Sequence, residues 1–553
     1  MTGKRALMEQ LRADGVKHVF GNPGTTEQGF MDILQDYPDI HFMLALHEGV
    51  AVSMADAYAR LTRRPSFLEV HTAPGLGNAM GMLHNARVGQ TPLVAYAGHS
   101  ESRALFQEPH LSGPLVDMAK PICKWSAQIE HAHDVPQALR RAFKLADEPP
   151  QGPVFLSLPL DVLDQEADMD IRPTSFTRWH TRPAAAAIAE AAQLLLSASK
   201  PMMMLGDGVN LAGAQAEATA LAELAGAPMF ECYASEFNAP MSHPLHMGSV
   251  DFVYPRRIRA TLEGCDVLLV VGAPLFQLIF PEPADFPLPK DTKLIQIDAN
   301  SWQIGRNVPP SVGILSDAKG ALASLAEAMR RDQAPAQAEA AQQRARDITA
   351  NMQAVKQRYF AQQREHWDDV PITSARLMSE IKDALPGNAY VFAEPVTNGA
   401  AFERYIQAEQ GDRVTRVRGG GIGGGLPGAL GAALAKPDHK MVGLSADGSA
   451  MYGITALWTA AHHRIPVTYV MLNNGAYRIL KTNMLQYLGE GAKGRQFVAM
   501  DLVDPDLRFD RMAESMGVPA WRVERPDQLA PALREAMAAG PALVDVVIDG
   551  SVP

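Results

Sequence analysis

The sequence predicts an α/β protein with three consecutive open domains, each built on a parallel β-sheet. Three observations lead to this fold class. The chain has 553 residues, which is too long for a single hydrophobic core. Short apolar runs with the character of buried strands alternate with longer helical patterns, and this alternation recurs in three successive segments. With 47% hydrophobic and 20% charged residues, the composition is that of an ordinary globular protein.

The first segment, residues 1–170, contains five predicted strands, at 18–22, 42–46, 67–72, 93–98 and 154–159. Between the second and the third of these, residues 48–61 form a helical pattern of mostly small, apolar residues. A polar, proline-containing stretch from 164 to 186 follows, and we expect it to be a linker.

The second segment spans residues 183–335 and has predicted strands at 201–206, 266–272 and 293–298. The third segment spans residues 370–553 and has predicted strands at 390–394, 440–446, 467–474 and 542–548. Residues 336–369 between them are rich in alanine, glutamine and charged side chains, which predicts a solvated linker helix.

Charge and cysteine content argue against several classes of function. A net charge of −11 argues against nucleic acid as a partner, because binding to a phosphate backbone requires clustered lysine and arginine. No window of about 18 apolar residues occurs, so we expect no membrane segment. Residues 1–16 carry charges throughout and lack the apolar region of a signal peptide. The three cysteines are too scattered for a disulfide framework or a zinc site, and we expect a cytoplasmic protein.

Polar residues follow two predicted strands of the third segment. Asp447, Gly448 and Ser449 follow one strand, and Asn474 follows the next, one helix later. The carboxyl ends of parallel strands meet at one edge of a sheet, so Asp447 and Asn474 should lie side by side. Their oxygens and the backbone carbonyl of Ala476 offer three ligands to an octahedral Mg²⁺, with diphosphate and water completing the shell. Ser449 could donate to a phosphate at a helix N-terminus. Either motif alone could equally be a simple turn.

Glu48 begins the helical pattern at 48–61, in which the residues up to Asp56 are almost all Gly, Ala, Val, Met or Ser. Such a composition is typical of a helix that is buried on most faces. A carboxylate at its start needs a hydrogen-bond partner and is a candidate functional acid. The alternative is a glutamate that only interacts favourably with the helix dipole.

Two more polar residues of the first segment lie next to glycine-rich stretches. His71 ends a predicted strand and enters what we expect to be a Gly/Pro-rich loop, where an imidazole would face a cleft. Thr25, with Gln28 three residues later, fits a capping box. The functional alternatives are an acid–base histidine and a hydroxyl that points at a substrate carboxylate.

Six of the seven residues from Gly419 to Gly425 are glycine, which implies a close approach of this backbone to another group. The run satisfies the G-x-G-x-x-G pattern of dinucleotide-binding proteins. The acidic residue expected about 20 positions later is best matched by Asp447, which is better used as a metal ligand. A nicotinamide-dependent dehydrogenase is therefore a secondary alternative.

The strand-end pair Asp447 and Asn474, the Glu48 helix and the segments GNPGTTE and HTAPGLGNAMG together resemble the thiamine-diphosphate-dependent decarboxylases and carboligases. The resemblance covers essentially the whole chain and is greatest to the benzoylformate decarboxylases. It implies three domains in order: pyrimidine-binding (1–170), central (183–335) and diphosphate-binding (370–553). It also implies thiamine diphosphate and Mg²⁺ as cofactors, and nothing in the central domain calls for FAD. Because the site in this family combines residues of two subunits, we expect at least a homodimer, and a homotetramer is common.

The resemblance also assigns roles to individual residues. Glu48 matches the glutamate that hydrogen-bonds the aminopyrimidine ring and promotes formation of the ylid. Ile422 matches the bulky residue that bends the cofactor, and the carbonyl of Gly420 faces its exocyclic amine. Thr25 and His71 match polar residues that lie over the substrate. The neighbourhood of the diphosphate is matched by Thr397, Asn398, Gly448, Ser449, Tyr452 and Ala476.

The substrate pocket departs from the benzoylformate decarboxylases. The second catalytic histidine expected within residues 272–283 is absent, and Ile279 stands at about that position. The other candidate pocket residues are Gln107, Ile479, Leu480 and Asn483. The last three are bulkier and more polar than an aryl-binding pocket requires, and the stretch around the first is more similar to carboligases of the acetolactate-synthase type. The substrate side chain, aromatic or aliphatic, is left open.

We therefore expect non-oxidative decarboxylation of a benzoylformate-like 2-oxo acid to an aldehyde, through a ylid and an enamine. The main alternative is a carboligase or lyase with the same cofactor, in which an aldehyde or a second 2-oxo acid traps the enamine. Loss of the second histidine favours this alternative, because slow protonation leaves time for an electrophile to react. The remaining alternatives are the nicotinamide-dependent dehydrogenase and a catalytically silent, ligand-binding relative.

Overall fold

Three six-stranded β-sheets organise the chain, and their described strand pairs run parallel. The computed structural model describes residues 1–177, 180–232, 235–281, 287–408, 413–492 and 494–552. The predicted fold class, three consecutive open parallel-sheet α/β domains, is confirmed. Parts of two sequence predictions, residues 178–179 of the linker at 164–186 and residues 282–283 of the stretch 272–283, lie outside the described residues.

The first sheet contains β1 (His18–Asn22), β2 (His41–Leu44), β3 (Ser66–Val70), β4 (Leu93–His99), β5 (Ser126–Gln128) and β6 (Pro153–Pro159). Its helices are α1 (Gly3–Ala13), α2 (Gln28–Ile33), α3 (Glu48–Thr62), α4 (Thr72–Val88), α5 (Leu115–Ala119), α6 (Val135–Asp147) and α7 (Leu160–Asp164). The strand order is β2-β1-β3-β4-β6-β5. The strand that follows β1 lies on one side of it and β3 lies on the other, so the topological switch point falls between β1 and β3.

The second sheet contains β7 (Pro201–Leu205), β8 (Met229–Glu231), β9 (His246–Ser249), β10 (Val267–Val271), β11 (Lys293–Asp298) and β12 (Val312–Leu315). Its helices are α8 (Ala185–Ser197), α9 (Asp207–Ala212), α10 (Gln215–Ala225), α11 (Pro255–Thr261), α12 (Ala318–Asp332) and α13 (Pro335–Glu365). The order β12-β11-β10-β7-β8-β9 is that of a doubly wound nucleotide-binding sheet.

The third sheet contains β13 (Ala389–Glu394), β14 (Val414–Arg416), β15 (Lys440–Ala446), β16 (Val467–Asn473), β17 (Ala520–Val523) and β18 (Ala542–Val547). Its helices are α14 (Ser374–Ala384), α15 (Gly399–Tyr405), α16 (Gly425–Ala435), α17 (Asp447–Ala450), α18 (Ala456–His462), α19 (Arg478–Leu488), α20 (Phe509–Ser515) and α21 (Leu529–Ala538). The order β14-β13-β15-β16-β18-β17 repeats that of the first sheet.

The sequence analysis missed the short strands β5, β8, β9, β12, β14 and β17. Each has only three or four residues, and most lie at or near a sheet edge, where one neighbouring strand is enough to fix them. Runs this short carry too little periodicity to be distinguished from loops. The long central strands are wholly buried, and this continuous apolarity made them visible in the sequence.

By contacts within the chain, the protein divides into two compact units. One comprises Met1–Thr177, Trp367–Phe402 and Val417–Pro553, and the other comprises Arg178–His366 and Glu403–Arg416. The predicted domain boundaries at 170, 183, 335 and 370 remain predictions. Among the described residues, no helix is both long enough and apolar enough to cross a bilayer.

Within the first unit, the helices α3 and α16 pack closely against each other because both consist mainly of small residues. A Cβ atom at Gly431 of α16 would lie 2.0 Å from the backbone oxygen of Met54 in α3, so only glycine fits there. Both helices belong to one hydrophobic core that also includes residues of the first and the third sheet. This packing fixes the start of α3, where Glu48 lies, relative to the glycine run that precedes α16.

Candidate active site

The carboxyl ends of β15 and β16 bring Asp447 and Asn474 together. The two strands pair in parallel, with Ala446 opposite Leu472. Asp447 is 1% exposed, and its Oδ2 accepts hydrogen bonds from the backbone N–H groups of Asn474 at 3.0 Å and Gly475 at 2.7 Å. Its Oδ1 accepts from its neighbour Gly448 at 2.8 Å. Burial raises the pKa of Asp447, and these hydrogen bonds act in the opposite direction.

Asn474 and Ala476 form the rest of this cluster. The side-chain oxygen of Asn474 accepts from the backbone N–H of Ala476 at 3.0 Å, which holds the amide in one orientation. Among the described residues, no group of three or more His, Cys, Asp or Glu side chains could hold a metal ion. A metal at this position would therefore depend on amide, carbonyl and non-protein oxygens in addition to Asp447.

A second buried carboxylate, Glu394 at the end of β13, holds the glycine run. Its two oxygens accept from the backbone N–H groups of Gly423 at 2.9 Å and Gly425 at 2.8 Å. Burial raises the pKa of Glu394 to about 7, although these hydrogen bonds and one with the Ser449 side chain act to lower it. The Ser449 hydroxyl thus interacts with a carboxylate of its own chain. Tyr452 is 61% exposed and lies beside Gly423, where a Cβ atom would come within 2.5 Å of its Cβ.

The glycine run approaches helix α4. A Cβ atom at Gly419 would lie 2.3 Å from the Cα of Asn85, and the Asn85 side chain exchanges two hydrogen bonds with the backbone of Gly421, at 2.8 and 2.9 Å. Gly420 has a φ of +94°, and a Cβ atom there would meet nothing within 4 Å. Ile422 follows and is half-buried. Protein backbone and side chains therefore account for most of these glycines, which removes the main argument for a dinucleotide at this run.

Thr397 and Asn398 lie in a 3₁₀ turn, Val396–Asn398, directly after β13. Asn398 is 1% exposed, and its side chain is bonded within the protein, accepting from the Ser374 hydroxyl and donating to the carbonyl of Pro395. Thr397 is half-buried. Their predicted role near a diphosphate remains a prediction.

Glu48 begins helix α3 and is 5% exposed. Its carboxylate accepts from the side-chain amides of Asn78 at 3.0 Å and Asn22 at 3.5 Å. Gly75 makes room for it, because a Cβ atom there would lie 3.0 Å from Glu48 Oε1. The sequence suggested an apolar surrounding, whereas the partners of this acid are two carboxamides from β1 and α4.

The surroundings of His71 correct two predictions. The residues after His71 form helix α4 instead of a loop. The proline and glycine content had suggested a loop. Pro74, however, lies in the first helical turn, where its missing N–H costs nothing, and Gly75 is required for contact with Glu48. The capping box also lies one residue earlier than predicted: Glu27 reaches back to the N–H of Gly24 at 3.0 Å.

His71 and Thr25 occupy the same end of the first sheet. His71 precedes α4, and its Nδ1 lies 2.8 Å from Glu27 Oε2 and 3.3 Å from the Thr26 hydroxyl. Thr25 begins the 3₁₀ turn Thr25–Glu27 and is exposed. Free of the predicted cap, its hydroxyl remains available to a ligand.

The candidate pocket residues are distributed over three separate segments of the chain. Ile479, Leu480 and Asn483 lie on helix α19, and Leu480 is 45% exposed. Gln107 ends the exposed 3₁₀ turn Ser102–Gln107. Ile279 is 50% exposed and belongs to the other compact unit. Their assignment to one pocket remains a prediction.

Sequence reasoning missed several residues that shape the site, namely Asn22, Glu27, Asn78, Asn85 and Glu394. Glu394 could have been found by the rule that identified Asp447, since it ends a buried parallel strand. The two asparagines of α4 lie seven residues apart, on one face of the helix. For Glu27 the local signal is only a capping-box spacing to Gly24, because its other backbone partner, Gly98, and the imidazole of His71 are distant in sequence.

Family models match most of the chain. They are the thiamine pyrophosphate enzyme N-terminal TPP-binding domain over residues 1–112, the central domain over 188–325 and the C-terminal TPP-binding domain over 397–546. Thiamine pyrophosphate is the same compound as thiamine diphosphate. The chain belongs to the family of thiamine-diphosphate-dependent enzymes, in the group of the decarboxylases and related carboligases.

Similar proteins refine this placement. The chain is 33% identical to a benzoylformate decarboxylase of Pseudomonas aeruginosa PAO1, over 98% of both proteins. It is 27% identical to a probable acetolactate synthase large subunit of Methanocaldococcus jannaschii, over 99% of this chain and 92% of that protein. The solved structure of a thiamine-diphosphate-dependent 4-hydroxybenzoylformate decarboxylase from Rhodococcus jostii RHA1 superimposes with a TM-score of 0.85, at 29% identity and over 99% of both chains.

Proposed function

We propose that the protein is a Mg²⁺- and thiamine-diphosphate-dependent enzyme that decarboxylates a benzoylformate-like 2-oxo acid to an aldehyde without oxidation. One observation carries the proposal. A buried acid, Glu48, is bonded to Asn22 at the carboxyl end of β1, and the imidazole of His71 follows the neighbouring strand β3. Asn22 donates to Glu48 and is paired with Val70, the residue before His71. The similarity to benzoylformate and 4-hydroxybenzoylformate decarboxylases supports this substrate class.

The residues present fit both cofactors. Asp447, the Asn474 amide and the Ala476 carbonyl offer the hard oxygens that Mg²⁺ prefers, and the metal's remaining positions suit diphosphate oxygens and water. Gly448 and Ser449 lie in the helical turn Asp447–Ala450, whose N-terminal end favours an anion. Gly448 is also required sterically, because a Cβ atom there would lie 2.5 Å from the ring of Tyr477.

When bound, thiamine diphosphate would supply a nucleophilic thiazolium carbon and an electron sink for decarboxylation. The residues of this chain bind, orient and move protons around that chemistry. Glu48, held by Asn22 and Asn78, shares a proton with the aminopyrimidine ring. Ile422 and the carbonyl of Gly420 orient the ring, and Thr25 donates to the substrate carboxylate.

The overall reaction consumes one proton, since a 2-oxo acid anion and H⁺ give an aldehyde and CO₂. The carbon that loses CO₂ must therefore receive a hydrogen. His71, which is 19% exposed at the side chain, can deliver this proton and recover it from water.

The test of this proposal is CO₂ release from a panel of aromatic and aliphatic 2-oxo acids, with and without thiamine diphosphate and Mg²⁺. We expect turnover of at least one aryl 2-oxo acid that is lost when either cofactor is removed. If no acid is turned over, or if turnover needs neither cofactor, the proposal is wrong.

Carboligation is the second candidate, and one feature favours it. Ile279 stands where a second acid–base histidine was expected, which would slow protonation of the product carbon. Similarity to an acetolactate synthase large subunit agrees with this candidate. The ratio of 2-hydroxy ketone to free aldehyde formed from one 2-oxo acid separates the two activities.

We further propose that the active form is at least a homodimer, and a homotetramer by the family resemblance. Among the described residues of one chain, the side-chain hydrogen bonds of Glu48 come from β1 and α4, and none comes from the third sheet. The experiment mixes and refolds inactive Glu48→Gln and Asp447→Ala chains. Random dimers should recover about a quarter of wild-type activity, because one site in each mixed dimer combines two intact halves. No recovery would contradict a shared site.

A cytoplasmic location remains a prediction.

A further inference from the structure

Glu27 is buried beneath the candidate acid–base histidine. It is 0% exposed and lies in the 3₁₀ turn Thr25–Glu27, directly after β1. Its Oε2 accepts from the N–H of Gly24 at 3.0 Å and lies 2.8 Å from His71 Nδ1. Its Oε1 accepts from the N–H of Gly98 at 2.8 Å and from the Thr26 hydroxyl at 2.7 Å. Two backbone N–H groups and a hydroxyl therefore donate to its two oxygens, which is the environment of an ionised carboxylate.

Two glycines make room for this pair. A Cβ atom at Gly24 would lie 2.2 Å from the Cγ of His71, and one at Gly98 would lie 2.2 Å from Glu27 Oε1. Any side chain at either position would displace the imidazole or the carboxylate. The backbones of three different segments thus converge on one carboxylate–imidazole contact.

We propose that Glu27 is the positioning residue of His71, holding the hydrogen on Nδ1 and stabilising the imidazolium, so that Nε2 is the atom that exchanges protons with the substrate. An ionised carboxylate can only accept, so the ring nitrogen that faces it must be the donor. The inference deepens the proposed decarboxylation and rests on it for its kinetic part.

The proton balance follows from this assignment. His71 starts as an imidazolium with hydrogens on both nitrogens. The Nε2–H bond breaks, the proton forms the new C–H bond of the aldehyde, and the electron pair remains on the ring. The neutral ring keeps its Nδ1–H toward Glu27 and regains the other proton from water. Glu27 stays ionised throughout.

Glu69 provides a matched control on the neighbouring strand. It lies on β3, opposite Gly21 on β1 and Tyr96 on β4, and its two oxygens have no hydrogen-bond partner among the described residues. Burial, together with the charges of Glu27 and Glu48, raises the pKa of Glu69 well above its usual value, which favours the uncharged carboxyl. A Glu69→Gln change therefore removes a buried carboxyl nearby without altering the charge beside His71.

The kinetic test compares Glu27→Gln, Glu69→Gln, His71→Ala and the Glu27→Gln/His71→Ala double variant on a turned-over 2-oxo acid. We expect Glu27→Gln to lower kcat by about 10- to 100-fold with KM changed less than about threefold. The alkaline limb of its kcat profile should move to lower pH, because the imidazolium has lost its counter-charge. In the His71→Ala background the same change should have less than about a twofold effect. Glu69→Gln should retain the wild-type profile. Equal losses in both backgrounds, or an unmoved pH limb, would overturn the inference.

A second measurement needs no activity. ¹⁵N NMR of the cofactor-free chain, with His71 assigned by the signal missing in His71→Ala, should show the Nδ1–H tautomer above the titration range and a tautomer mixture in Glu27→Gln. A wild-type Nε2–H tautomer would disprove the role of Glu27 even if the enzyme decarboxylates. A correct tautomer without any turnover would instead refute the proposed function alone. The wild-type spectrum decides the matter if Glu27→Gln fails to fold.

Discussion

The first and the third sheet have the same strand order, yet they treat their buried carboxylates differently. At the end of the third sheet, Asp447 and Glu394 are held mainly by backbone N–H groups, three from residues 448, 474 and 475 and two from residues 423 and 425. At the end of the first sheet, Glu48 is held by the side chains of two asparagines, and Glu27 contacts an imidazole in addition to the backbone N–H groups of residues 24 and 98.

This difference corresponds to two kinds of chemistry. Backbone donors around glycine-rich turns cannot exchange a proton or move without moving the chain, which suits a site that grips an anion and a metal. The side-chain amides that hold Glu48 leave its carboxyl able to share a proton with a ligand, and the imidazole beside Glu27 can itself transfer protons. The fold thus supplies two similar sheet ends, and local donors decide which one binds and which one reacts.

The largest expected effect is on kcat, and it distinguishes a residue that transfers protons from a residue that binds the cofactor. Glu48→Gln should lower kcat by about 10²- to 10⁴-fold while the protein still binds thiamine diphosphate and Mg²⁺, because the change removes a proton donor and little else. Asp447→Asn should instead weaken cofactor binding, since a metal ligand loses its charge. Calorimetric titration together with steady-state kinetics measures both. If Glu48→Gln abolishes binding and Asp447→Asn leaves it intact, the comparison between the sheets is wrong.

A substitution where helix α16 packs against helix α3 should destabilise the fold. Gly431→Ala places a methyl group 2.0 Å from the Met54 carbonyl, and we expect a loss of about 3 kcal/mol in the free energy of unfolding. Urea denaturation measures this loss. Gly387→Ala is the matched control, because a Cβ atom there meets nothing within 4 Å, and its effect should stay within about 0.5 kcal/mol. Similar effects of both changes would mean that α3 and α16 are not in close contact.

The first sheet should lose stability in acid. His18 lies in β1 with its Nδ1 buried and without a hydrogen-bond partner among the described residues, and burial lowers its pKa from 6.5 to about 4, aided by His41, Lys17 and His463. The unfolded chain binds this proton below pH 6.5 and the folded chain only near pH 4, so stability is complete above the first value and declines toward the second.

The size of this loss, allowing for the partial exposure of His18, is about 2 kcal/mol. Chemical denaturation between pH 4 and pH 7 should show a shallower decline for His18→Leu than for wild type. His131→Asn, at an exposed histidine that does not influence His18, should leave the decline almost unchanged. An identical decline in His18→Leu and wild type would remove His18 as its cause.

The smallest expected effect concerns the donors to Glu48. Asn78→Ala should lower kcat by about tenfold, because the carboxylate loses its 3.0 Å hydrogen bond. Asn22→Ala should cost less, since its contact is 3.5 Å. Kinetics with saturating cofactor measure both, and the reverse ranking would show that Asn22 is the principal donor in the working enzyme.

The sequence by itself determined the long buried strands, the three-segment α/β order and the helix that starts at Glu48. These features depend on local apolar runs and on periodicity, which each segment carries alone. It also predicted that Asp447 and Asn474 follow neighbouring parallel strands, because a strand–helix–strand unit is a local motif with a fixed hand.

Only the tertiary structure decided what each of these acids touches. The decisive hydrogen bonds join residues that are far apart in the sequence. They link Glu27 with His71, Asn78 with Glu48, and Asn85 with Gly421. It also decided that the residues after His71 are helical, with Gly75 making room for Glu48. The physical reason is that hydrogen-bond partners of buried groups are chosen by distance in the folded chain, and that distance is not encoded in any short stretch of sequence.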